Sequence, residues 1–465
     1  MSHYHFLGIA GTAMAGTALL MQELGHTVSG SDEAIYPPMS ALLESKGIQV
    51  KSPFSENNLP DSPYTGVIGN ALSRGNVELE ELLNKRDTYC SMAELLRWEI
   101  LRKRMPIVVA GTHGKTTTTS IIAHALEAAK EKPGFLVGGI PSNFGVNAKL
   151  GKGEWFVIEG DEYDTAFFDK RSKFLHYLPE IAVLLNLEFD HADIFHNIEE
   201  IELAFRRLLL TVPARGTVVV NAEDERLVKI VENAPCKVLR FGVTDGDVWT
   251  ERAVNNEHGW RGTVRLPDGN RFDFDLPLSG RHNLMNMLSA IGVAVAADIE
   301  IGRFIEGLQS FTGVARRADI VWDKEVTLID DFGHHPTAVA TTLEGLRKKY
   351  KGRRILCAFD PRSNTSVRNF FQNEWAEALG RADCVWIHEL HRLEKIPVEE
   401  RLNRAQLVSD IQATGHEAFA TQNIQEIANG IMGKLKNEDV IVLFSNGAFG
   451  GLKDILTNEL NKKFQ

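Results

Sequence analysis

Short apolar runs rich in valine and isoleucine alternate along the chain with stretches in which apolar residues recur at helical spacing. This alternation is typical of parallel α/β units, in which each buried strand is followed by a helix that packs on the sheet. It occurs in three blocks, residues 1–104, 105–314 and 315–465. The pattern therefore predicts an α/β protein of three domains, and 465 residues suffice for about three hydrophobic cores.

The predicted strands are the short apolar runs of these blocks. They are residues 4–9, 26–29 and 67–69 in the first block, 155–158, 181–187 and 217–220 in the second, and 326–329, 354–359, 384–387 and 439–444 in the third. Helices are predicted at 11–24 and 120–129, where apolar residues follow the helical period.

A glycine loop in the second block lies between an apolar strand and a helix. The backbone N–H groups around Gly111 and Gly114 can turn inward on phosphate oxygens, Lys115 can meet the β- and γ-phosphates, and the Thr116 hydroxyl can hold Mg²⁺. The strict pattern G-x-x-x-x-G-K-[ST] requires glycine where this chain has Val109. We predict a nucleoside triphosphate site; the alternative is a glycine turn without a ligand.

Composition narrows the choice of partners. The net charge of −11 argues against a general nucleic-acid or membrane-surface binder, because such binding depends on lysine and arginine. The four cysteines are far apart and show no C-x-x-C spacing, which predicts neither a zinc site nor a disulfide framework. No leader pattern and no apolar run of membrane-spanning length is present. We expect a cytoplasmic protein with small-molecule partners.

A second glycine turn lies near the start of the chain. Gly8 and Gly11 follow the first predicted strand, and Asp32 follows the second. The dinucleotide pattern G-x-G-x-x-G fails at Ala10 and Ala13, yet the geometry suits a nucleotide diphosphate at a helix N-terminus. The alternative is a tight turn that binds nothing.

Acidic residues follow two predicted strands of the second block. Glu159 and Glu162 follow one strand, and His191 belongs to a polar segment after the other. Because carboxyl ends of parallel strands meet at one edge of a sheet, these groups can face the phosphates of the loop. Glu159 is the first choice of Mg²⁺ ligand and Glu162 the second, and His191 can serve a second metal or the phosphoryl group. A solvated acidic turn and a structural histidine are the alternatives.

His282, Asn283 and Asn286 occupy the first turn of another predicted helix. An imidazole ring can stack on a nucleobase, and two amides can hydrogen-bond to it. Helix capping explains Asn283 nearly as well.

The third block supplies candidate groups for a lid over the nucleotide. Arg317 can reach the phosphates, Asp331 can reach a ribose, and Arg362 can bind a substrate carboxylate with two parallel hydrogen bonds. A plain surface turn is the competing interpretation for Arg362.

Together these segments resemble the Mur ligase family of ATP-dependent enzymes that form amide bonds, over essentially the whole chain. The family's loop has the form G-T-x-G-K-T-[ST], and it is matched here by Gly111, Thr112, His113, Gly114, Lys115, Thr116 and Thr117. The missing glycine at position 109 is then a family trait. The resemblance implies an N-terminal Rossmann-like UDP-binding domain (1–104), a central P-loop ATPase-like domain with a mostly parallel sheet (105–314), and a C-terminal Rossmann-like domain (315–465) that binds the amine substrate and closes on ATP.

The resemblance also implies a role for each candidate residue. ATP is expected on the loop, with further contacts from His282, Asn283, Asn286, Arg317 and Asp331. Substrate contacts are expected from Gly8, Gly11, Thr12, Met14, Asp32, Asn70, Asn147, His334, Arg362, Ser363 and Asn364. Lys115, Glu159 and His191 are expected to be catalytic. Thr116, Glu159, Glu162 and His191 are the expected Mg²⁺ ligands.

Longer motifs narrow the expected substrates. Segments 8–14, 147–151 and 330–336 are similar to the branch of the family that starts from UDP-N-acetylmuramate. Segments 36–40, 69–76, 161–174, 189–195 and 361–365 look like those of ligases in this branch that use the recycled tripeptide L-alanyl-γ-D-glutamyl-meso-diaminopimelate. The implied reaction joins this tripeptide to UDP-N-acetylmuramate through an acyl phosphate, in peptidoglycan recycling. The alternative is the L-alanine ligase of peptidoglycan biosynthesis, whose acidic motif typically reads D-E-S-D-A-S-F where this chain has D-E-Y-D-T-A-F.

One departure concerns the second metal. Several Mur ligases carry a carbamylated lysine shortly after the segment that contains His191, but residues 192–210 contain no lysine. The ligands of a second metal therefore stay open. Two alternative functions from other functional classes also stay open. The protein could be a nucleotide-binding regulator that only hydrolyses ATP, or it could be a dehydrogenase. We expect a monomer or a weak homodimer, with neither nucleic acid nor membrane as a partner.

Overall fold

The computed structural model describes residues 1–35, 39–391, 393 and 396–464, so residues 36–38 of the motif at 36–40 lie outside the described part. The first part contains strands β1 (His3–Leu7), β2 (Thr27–Ser31), β3 (Val50–Lys51), β4 (Thr65–Ile68) and β5 (Tyr89–Ser91), and helices α1 (Thr12–Glu23), α2 (Met39–Ser45), α3 (Val77–Lys85) and α4 (Met92–Glu99). The strands form a parallel sheet in the order β3-β2-β1-β4-β5, the order of a Rossmann-type sheet.

The second part is the largest. Its strands are β6 (Met105–Ala110), β7 (Gly134–Leu136), β8 (Ala148–Lys149), β9 (Trp155–Gly160), β10 (Asp164–Ala166), β11 (Asp169–Ser172), β12 (Ile181–Leu184), β13 (Thr217–Asn221), β14 (Lys237–Gly242), β15 (Val248–Asn256), β16 (Gly259–Arg265) and β17 (Arg271–Leu276). Its helices are α5 (Lys115–Ala128), α6 (Ile198–Leu209), α7 (Glu225–Val231), α8 (Arg281–Ala296) and α9 (Ile301–Gln309). Ten strands form one sheet, in the order β17-β16-β15-β14-β13-β12-β6-β9-β7-β8, and β10 and β11 form a separate hairpin.

The third part has strands β18 (Asp319–Asp323), β19 (Thr327–Asp331), β20 (Ile355–Phe359), β21 (Cys384–Ile387), β22 (Glu417–Ala420) and β23 (Val440–Phe444). Its helices are α10 (Pro336–Lys349), α11 (Gln372–Leu379), α12 (Arg404–Ala413), α13 (Ile424–Lys434) and α14 (Leu452–Lys463). The sheet order is β18-β19-β23-β20-β21-β22, with every pair parallel except β18 and β19.

Strand β6 shows why the central strands read as continuous apolar runs. Side chains alternate across a strand, and helices cover both faces of this sheet. Ile107 and Val109 pack into the cluster on one face, and Val108 and Ala110 into the cluster on the other. The second cluster also contains Phe6 of the first part, so the first two parts share a continuous core.

The predicted class, an α/β protein of three domains with mostly parallel sheets, is confirmed. Each predicted strand overlaps an observed one, but two boundaries differ. The helix after the glycine loop begins at Lys115 instead of residue 120, and the strand predicted at 181–187 ends at Leu184. The chain leaves the sheet there because the Asn186 side chain bonds the backbone of His113, with Oδ1 accepting from its N–H at 2.8 Å and Nδ2 donating to its carbonyl at 3.0 Å.

The antiparallel strands β15–β17 were not predicted. They extend the parallel sheet at one edge, and only part of β15 is buried, so its sequence alternates polar and apolar residues without a continuous apolar run. Within the described residues, no helix combines the length and apolar character needed to cross a bilayer.

Candidate active site

A cavity of about 1380 Å³ opens at the carboxyl ends of the central strands. It is lined by residues of all three parts of the chain. From the second part come the glycine loop, the ends of β9 and β12, and the start of α8; the third part contributes the segments after β19 and β20. Ala13 and Met92 of the first part also line the cavity. The position agrees with the rule that ligands of open α/β sheets bind beyond the carboxyl ends of strands.

Backbone geometry explains both glycines of the loop. Gly111 has φ +148° and Gly114 has φ +83°, conformations that side chains disfavour. A Cβ atom at Gly111 would lie 2.9 Å from Cβ of Leu185, and one at Gly114 would lie 2.7 Å from Oδ1 of Asn286. Helix α5 begins directly after Gly114 with no side-chain cap. Its first N–H groups and its dipole therefore form a site for an anion such as phosphate.

Lys115 is held by an ion pair. Its Nζ lies 2.9 Å from Oε2 of Glu162 and donates to the carbonyl oxygen of Gly111 at 2.6 Å. Burial disfavours the ammonium, but the carboxylates of Glu162 and Asp161 outweigh burial and raise the pKa of Lys115. The side chain is therefore a fixed cation at the loop.

His191 shares the carboxylate of Glu162 with Lys115. Nε2 of His191 lies 2.9 Å from Oε1 of Glu162, and the His191 backbone has φ +57°. Burial opposes the charged imidazole, but Asp190 and Glu162 together raise the pKa of His191. Burial also opposes the Glu162 carboxylate, while Lys115 and His191 lower its pKa. Glu162 is thus a buried anion between the Lys115 ammonium and the His191 imidazole, and both of its oxygens are in use.

Thr116 and Glu159 meet beside the loop. The Thr116 hydroxyl donates to Oε2 of Glu159 at 3.1 Å and accepts from the Arg317 guanidinium at 3.2 Å. The other oxygen of Glu159 accepts from the N–H of Gly138. Burial raises the pKa of Glu159. A hydroxyl at the start of a phosphate-binding helix and a half-buried carboxylate beside it are the oxygen donors that Mg²⁺ prefers.

The residues predicted to meet the base lie at the start of α8 and line the same cavity. The N-cap of α8 is Gly280, and Asn283 donates from Nδ2 to the carbonyl of Ser279 at 2.8 Å, so Asn283 is not the cap. Burial lowers the pKa of His282 to about 4, and its buried Nδ1 has no hydrogen-bond partner among the described residues. A neutral ring with one unpaired nitrogen can stack on or bond to a base.

Comparison with known proteins identifies the family. Three family models match the chain: the Mur ligase family, catalytic domain, at residues 3–104, the Mur ligase middle domain at 109–294, and the Mur ligase, glutamate ligase domain at 316–447. A protein of Escherichia coli (strain K12), named UDP-N-acetylmuramate–L-alanyl-γ-D-glutamyl-meso-2,6-diaminoheptandioate ligase, is 38% identical over 472 residues, covering 99% of this chain and 98% of that protein. The chain belongs to the Mur ligase family.

Two further relatives refine the comparison. The crystal structure of a murein peptide ligase from Psychrobacter arcticus 273-4 is 34% identical, with a TM-score of 0.77 over 99% of both chains. The UDP-N-acetylmuramate–L-alanine ligase of Chromobacterium violaceum is 32% identical over 98% of both chains. Like other Mur ligases, this protein is an ATP-dependent ligase that forms a carbon–nitrogen bond.

The structure brings most of the predicted residues of this Mur ligase to the cavity. Its lining includes Thr112, His113, Gly114, Lys115, Thr116, Thr117, Glu159, His191, His282, Asn283, Asn286, Arg317, Asp331, His334, Arg362, Ser363 and Asn364. Gly111 and Glu162 contact the lining through Lys115.

Seven predicted substrate contacts, most of them at or near the glycine turn after β1, lie outside the lining. They are Gly8, Gly11, Thr12, Met14, Asp32, Asn70 and Asn147. Two of them support the turn instead: Oδ2 of Asp32 accepts from the N–H of Ala10 at 2.8 Å, and Nδ2 of Asn147 donates to the Thr12 carbonyl at 2.7 Å. Helix α1 begins at Thr12 without a side-chain cap, and this free N-terminus is the feature that suits a diphosphate.

Two acidic residues that the sequence analysis did not single out join the second and third parts. Oε2 of Glu188 accepts from the Thr337 hydroxyl at 2.7 Å, and Oδ1 of Asp190 accepts from the Thr365 hydroxyl at 2.6 Å. Burial opposes both carboxylates, but neighbouring histidines lower their pKa values, that of Glu188 to about 2. Their signal in the sequence is the polar segment after β12, in which the prediction names only His191.

Proposed function

We propose that this Mur ligase joins UDP-N-acetylmuramate to the tripeptide L-alanyl-γ-D-glutamyl-meso-diaminopimelate, in peptidoglycan recycling. The observation that carries the proposal is one cavity that contains the phosphate loop and also borders the first and third parts of the chain. A ligase with three substrates needs such a common space. The higher identity to the tripeptide ligase than to the L-alanine ligase supports the choice of amine.

The reaction begins with activation of a carboxylate. The lactoyl carboxylate of UDP-N-acetylmuramate attacks the γ-phosphorus of ATP, ADP leaves, and an acyl phosphate forms. Two anions must approach each other in this step. Lys115 and the N–H groups at the start of α5 stabilise the charge that spreads over the transferring group. The N-terminal amine of the tripeptide then attacks the acyl carbon, an amide forms, and inorganic phosphate leaves.

Mg²⁺ fits the pair formed by Thr116 and Glu159. A divalent cation bound there would neutralise charge on the phosphate oxygens of ATP. Glu162 is already engaged by Lys115 and His191, which supports a role in holding these two side chains. The ligation of Mg²⁺ by Glu162 and His191 stays a prediction.

We further propose that the start of α8 receives the adenine base and that the third part covers the nucleotide. His282 is neutral and unpaired at Nδ1, and Asn286 lies against Gly114 of the loop. Arg317 already reaches Thr116. Asp331 is buried and its oxygens accept from the N–H groups of Ala318 and Gly333, both at 2.7 Å, which fixes the carboxylate for a ribose hydroxyl.

The amine half of the reaction is assigned to the third part. Arg362, Ser363 and Asn364 form the turn after β20 and can bind a carboxylate of the peptide. Burial lowers the pKa of His334 to about 4, and its Nδ1 lies 3.2 Å from the carbonyl of Phe332, which assigns the proton to Nδ1. Nε2 can then accept a proton as the amine attacks.

The test supplies ATP and UDP-N-acetylmuramate with either the tripeptide or L-alanine and follows ADP release and product mass. The proposal expects ligation with the tripeptide and little with L-alanine. Efficient ligation of L-alanine alone would favour the alternative L-alanine ligase. ADP release that ignores both amines and the sugar nucleotide would instead favour a nucleotide-hydrolysing regulator.

A further inference from the structure

Lys173 is a buried lysine that belongs neither to the phosphate loop nor to the third part of the chain, and the proposed function has so far given it no role. It follows the hairpin of β10 and β11, and its N–H donates to the carbonyl of Tyr163 at 3.0 Å. The turn Lys173–His176 packs against α4 of the first part. Lys173 is only 9% exposed, yet it lines the same cavity as Lys115. It therefore lies where the first part of the chain meets the reaction space.

The ammonium of Lys173 has one strong partner. Its Nζ donates to Oδ2 of Asp161 at 2.6 Å and lies 5.6 Å from the ring centre of Tyr163. The Tyr163 ring lies 4.2 Å from the His191 ring, so Lys173 and His191 flank the same side chain. An ammonium has three N–H donors, and the hydrogen bonds recorded for the described residues use one of them on Lys173.

Lys115 and Lys173, which both line the cavity, differ in how far their ammonium groups are engaged. Lys115 donates to Glu162 and to the Gly111 carbonyl, and its partner Glu162 is 2% exposed. Lys173 has a partner, Asp161, whose side chain is 33% exposed. An anion can therefore reach the Lys173–Asp161 pair from the cavity and take up the remaining donors. Lys115 lies at the loop, and Lys173 lies toward the part of the chain that would hold the sugar nucleotide.

We propose that Lys173 binds the lactoyl carboxylate of the sugar nucleotide and holds it toward the γ-phosphoryl group of ATP. The inference rests on the proposed function. A sugar nucleotide held by the first part must send this carboxylate into the cavity, past the turn that carries Lys173. A cation there lowers the repulsion between the carboxylate and the phosphate. Lys173 forms no covalent bond in this role.

The test separates the carboxylate from the rest of the ligand. Binding of UDP-N-acetylmuramate and of UDP-N-acetylglucosamine, which lacks the lactoyl group, is measured by calorimetry on the full chain. Lys173→Met is expected to weaken binding of UDP-N-acetylmuramate by about 10- to 100-fold, the usual loss for a hydrogen-bonded charge. Binding of UDP-N-acetylglucosamine and the KM for ATP are expected to stay unchanged. Lys173→Arg keeps the charge and should recover most of the lost affinity.

Lys170→Met is the matched control. Lys170 belongs to the same hairpin, its side chain is 70% exposed, and it pairs with Asp164. This variant should bind both sugar nucleotides as the unchanged protein does. If Lys173→Met does not fold, the double variant Lys173→Met, Asp161→Asn removes both charges and takes its place in the same comparison.

Equal losses for the two sugar nucleotides, or a loss confined to ATP, would overturn the role of Lys173. No loss for either ligand would overturn it as well. Those results leave the proposed function intact if the unchanged protein still ligates the tripeptide. If the unchanged protein binds no UDP-N-acetylmuramate, the proposed function itself fails, and the role of Lys173 fails with it.

Discussion

The phosphate loop and the turn after β20 contribute to the same cavity, but they are built differently. At the loop, the side chains of Lys115, Glu162 and His191 are 14%, 2% and 12% exposed, and Glu162 bonds to both of the others. At the turn, the Arg362 side chain is 36% exposed, and its guanidinium lies 3.9 Å from the nearest carboxylate oxygen, on Asp360. One region is fixed before substrate arrives, and the other leaves its cation available.

The difference corresponds to two tasks. Phosphoryl transfer is the same for every amine, and it gains most from charges that need no rearrangement. Selection of an amine requires groups that exchange solvent for substrate, and loops on a rigid scaffold provide them. We therefore expect substitutions at the loop to abolish reaction with any amine, and substitutions at the turn to change which amine is used.

The largest expected effect is that of Lys115→Ala. Removal of this cation should lower kcat for ligation by about 100- to 1000-fold, because a fixed charge at the transferring phosphoryl group is lost. The loss should be the same with the tripeptide and with L-alanine. ADP release under saturating substrates measures it. Near-normal ligation by this variant would mean that the loop does not perform the phosphoryl transfer.

Arg362→Ala should affect the turn after β20 and the binding of the amine substrate. We expect the KM for the tripeptide to rise by about 10- to 100-fold through the loss of a charge-assisted contact, with the KM for ATP unchanged. Arg362→Lys should recover only part of the lost affinity for the tripeptide, because lysine lacks the planar pair of donors. Arg381→Ala, an exposed arginine paired with Glu344, is the control. A rise in the KM for ATP would mean that the turn after β20 also serves the nucleotide, and the proposed difference between the two regions would be wrong.

The two regions also differ in how well the sequence predicts them. Around Lys115, strand, glycine and helix signals lie within a dozen residues, so the element order and the residues at the cavity followed from local sequence. Glu188 and Asp190 were not singled out, because their partners Thr337 and Thr365 lie 149 and 175 residues away. The link between Lys115 and Glu162 likewise requires β6 and β9 to be neighbours, which only the sheet order reveals.

Acidification should destabilise the folded chain, mainly through histidines at the start of α8 and in the third part. Burial lowers the pKa values of His282, His334 and His335 to about 4, against 6.5 for an ordinary histidine. Between these values the unfolded chain binds protons that the folded chain does not. The free energy of unfolding therefore falls as the pH drops from 6.5 toward 4, by at most about 1.4 kcal/mol per pH unit for each group.

Urea unfolding at pH 7.5, 6 and 5 measures this slope. His335→Asn should reduce it, because asparagine can still cap α10 as His335 does but does not titrate. His191 has a raised pKa, so its contribution has the opposite sign and is lost as the pH rises. A midpoint that is constant from pH 7.5 to 5 would contradict the assignment of three neutral histidines.

Thr365→Val tests the link between the two regions and should give the smallest effect on activity. The Thr365 hydroxyl is buried and donates to Asp190, whose Oδ1 also accepts from the N–H of His191. The variant leaves one hydrogen bond of a buried carboxylate unmade, at a cost of about 1–3 kcal/mol in the free energy of unfolding. Thr457→Val, which removes a hydroxyl bonded only within α14, is the matched control. Because Asp190 adjoins His191 at the fixed region, we expect kcat to fall a little for both amines and the KM for the tripeptide to stay constant. A change confined to the KM for the tripeptide would instead assign Thr365 to the turn after β20. Asp190 would then belong to that region as well, and not to the fixed region around the phosphate loop.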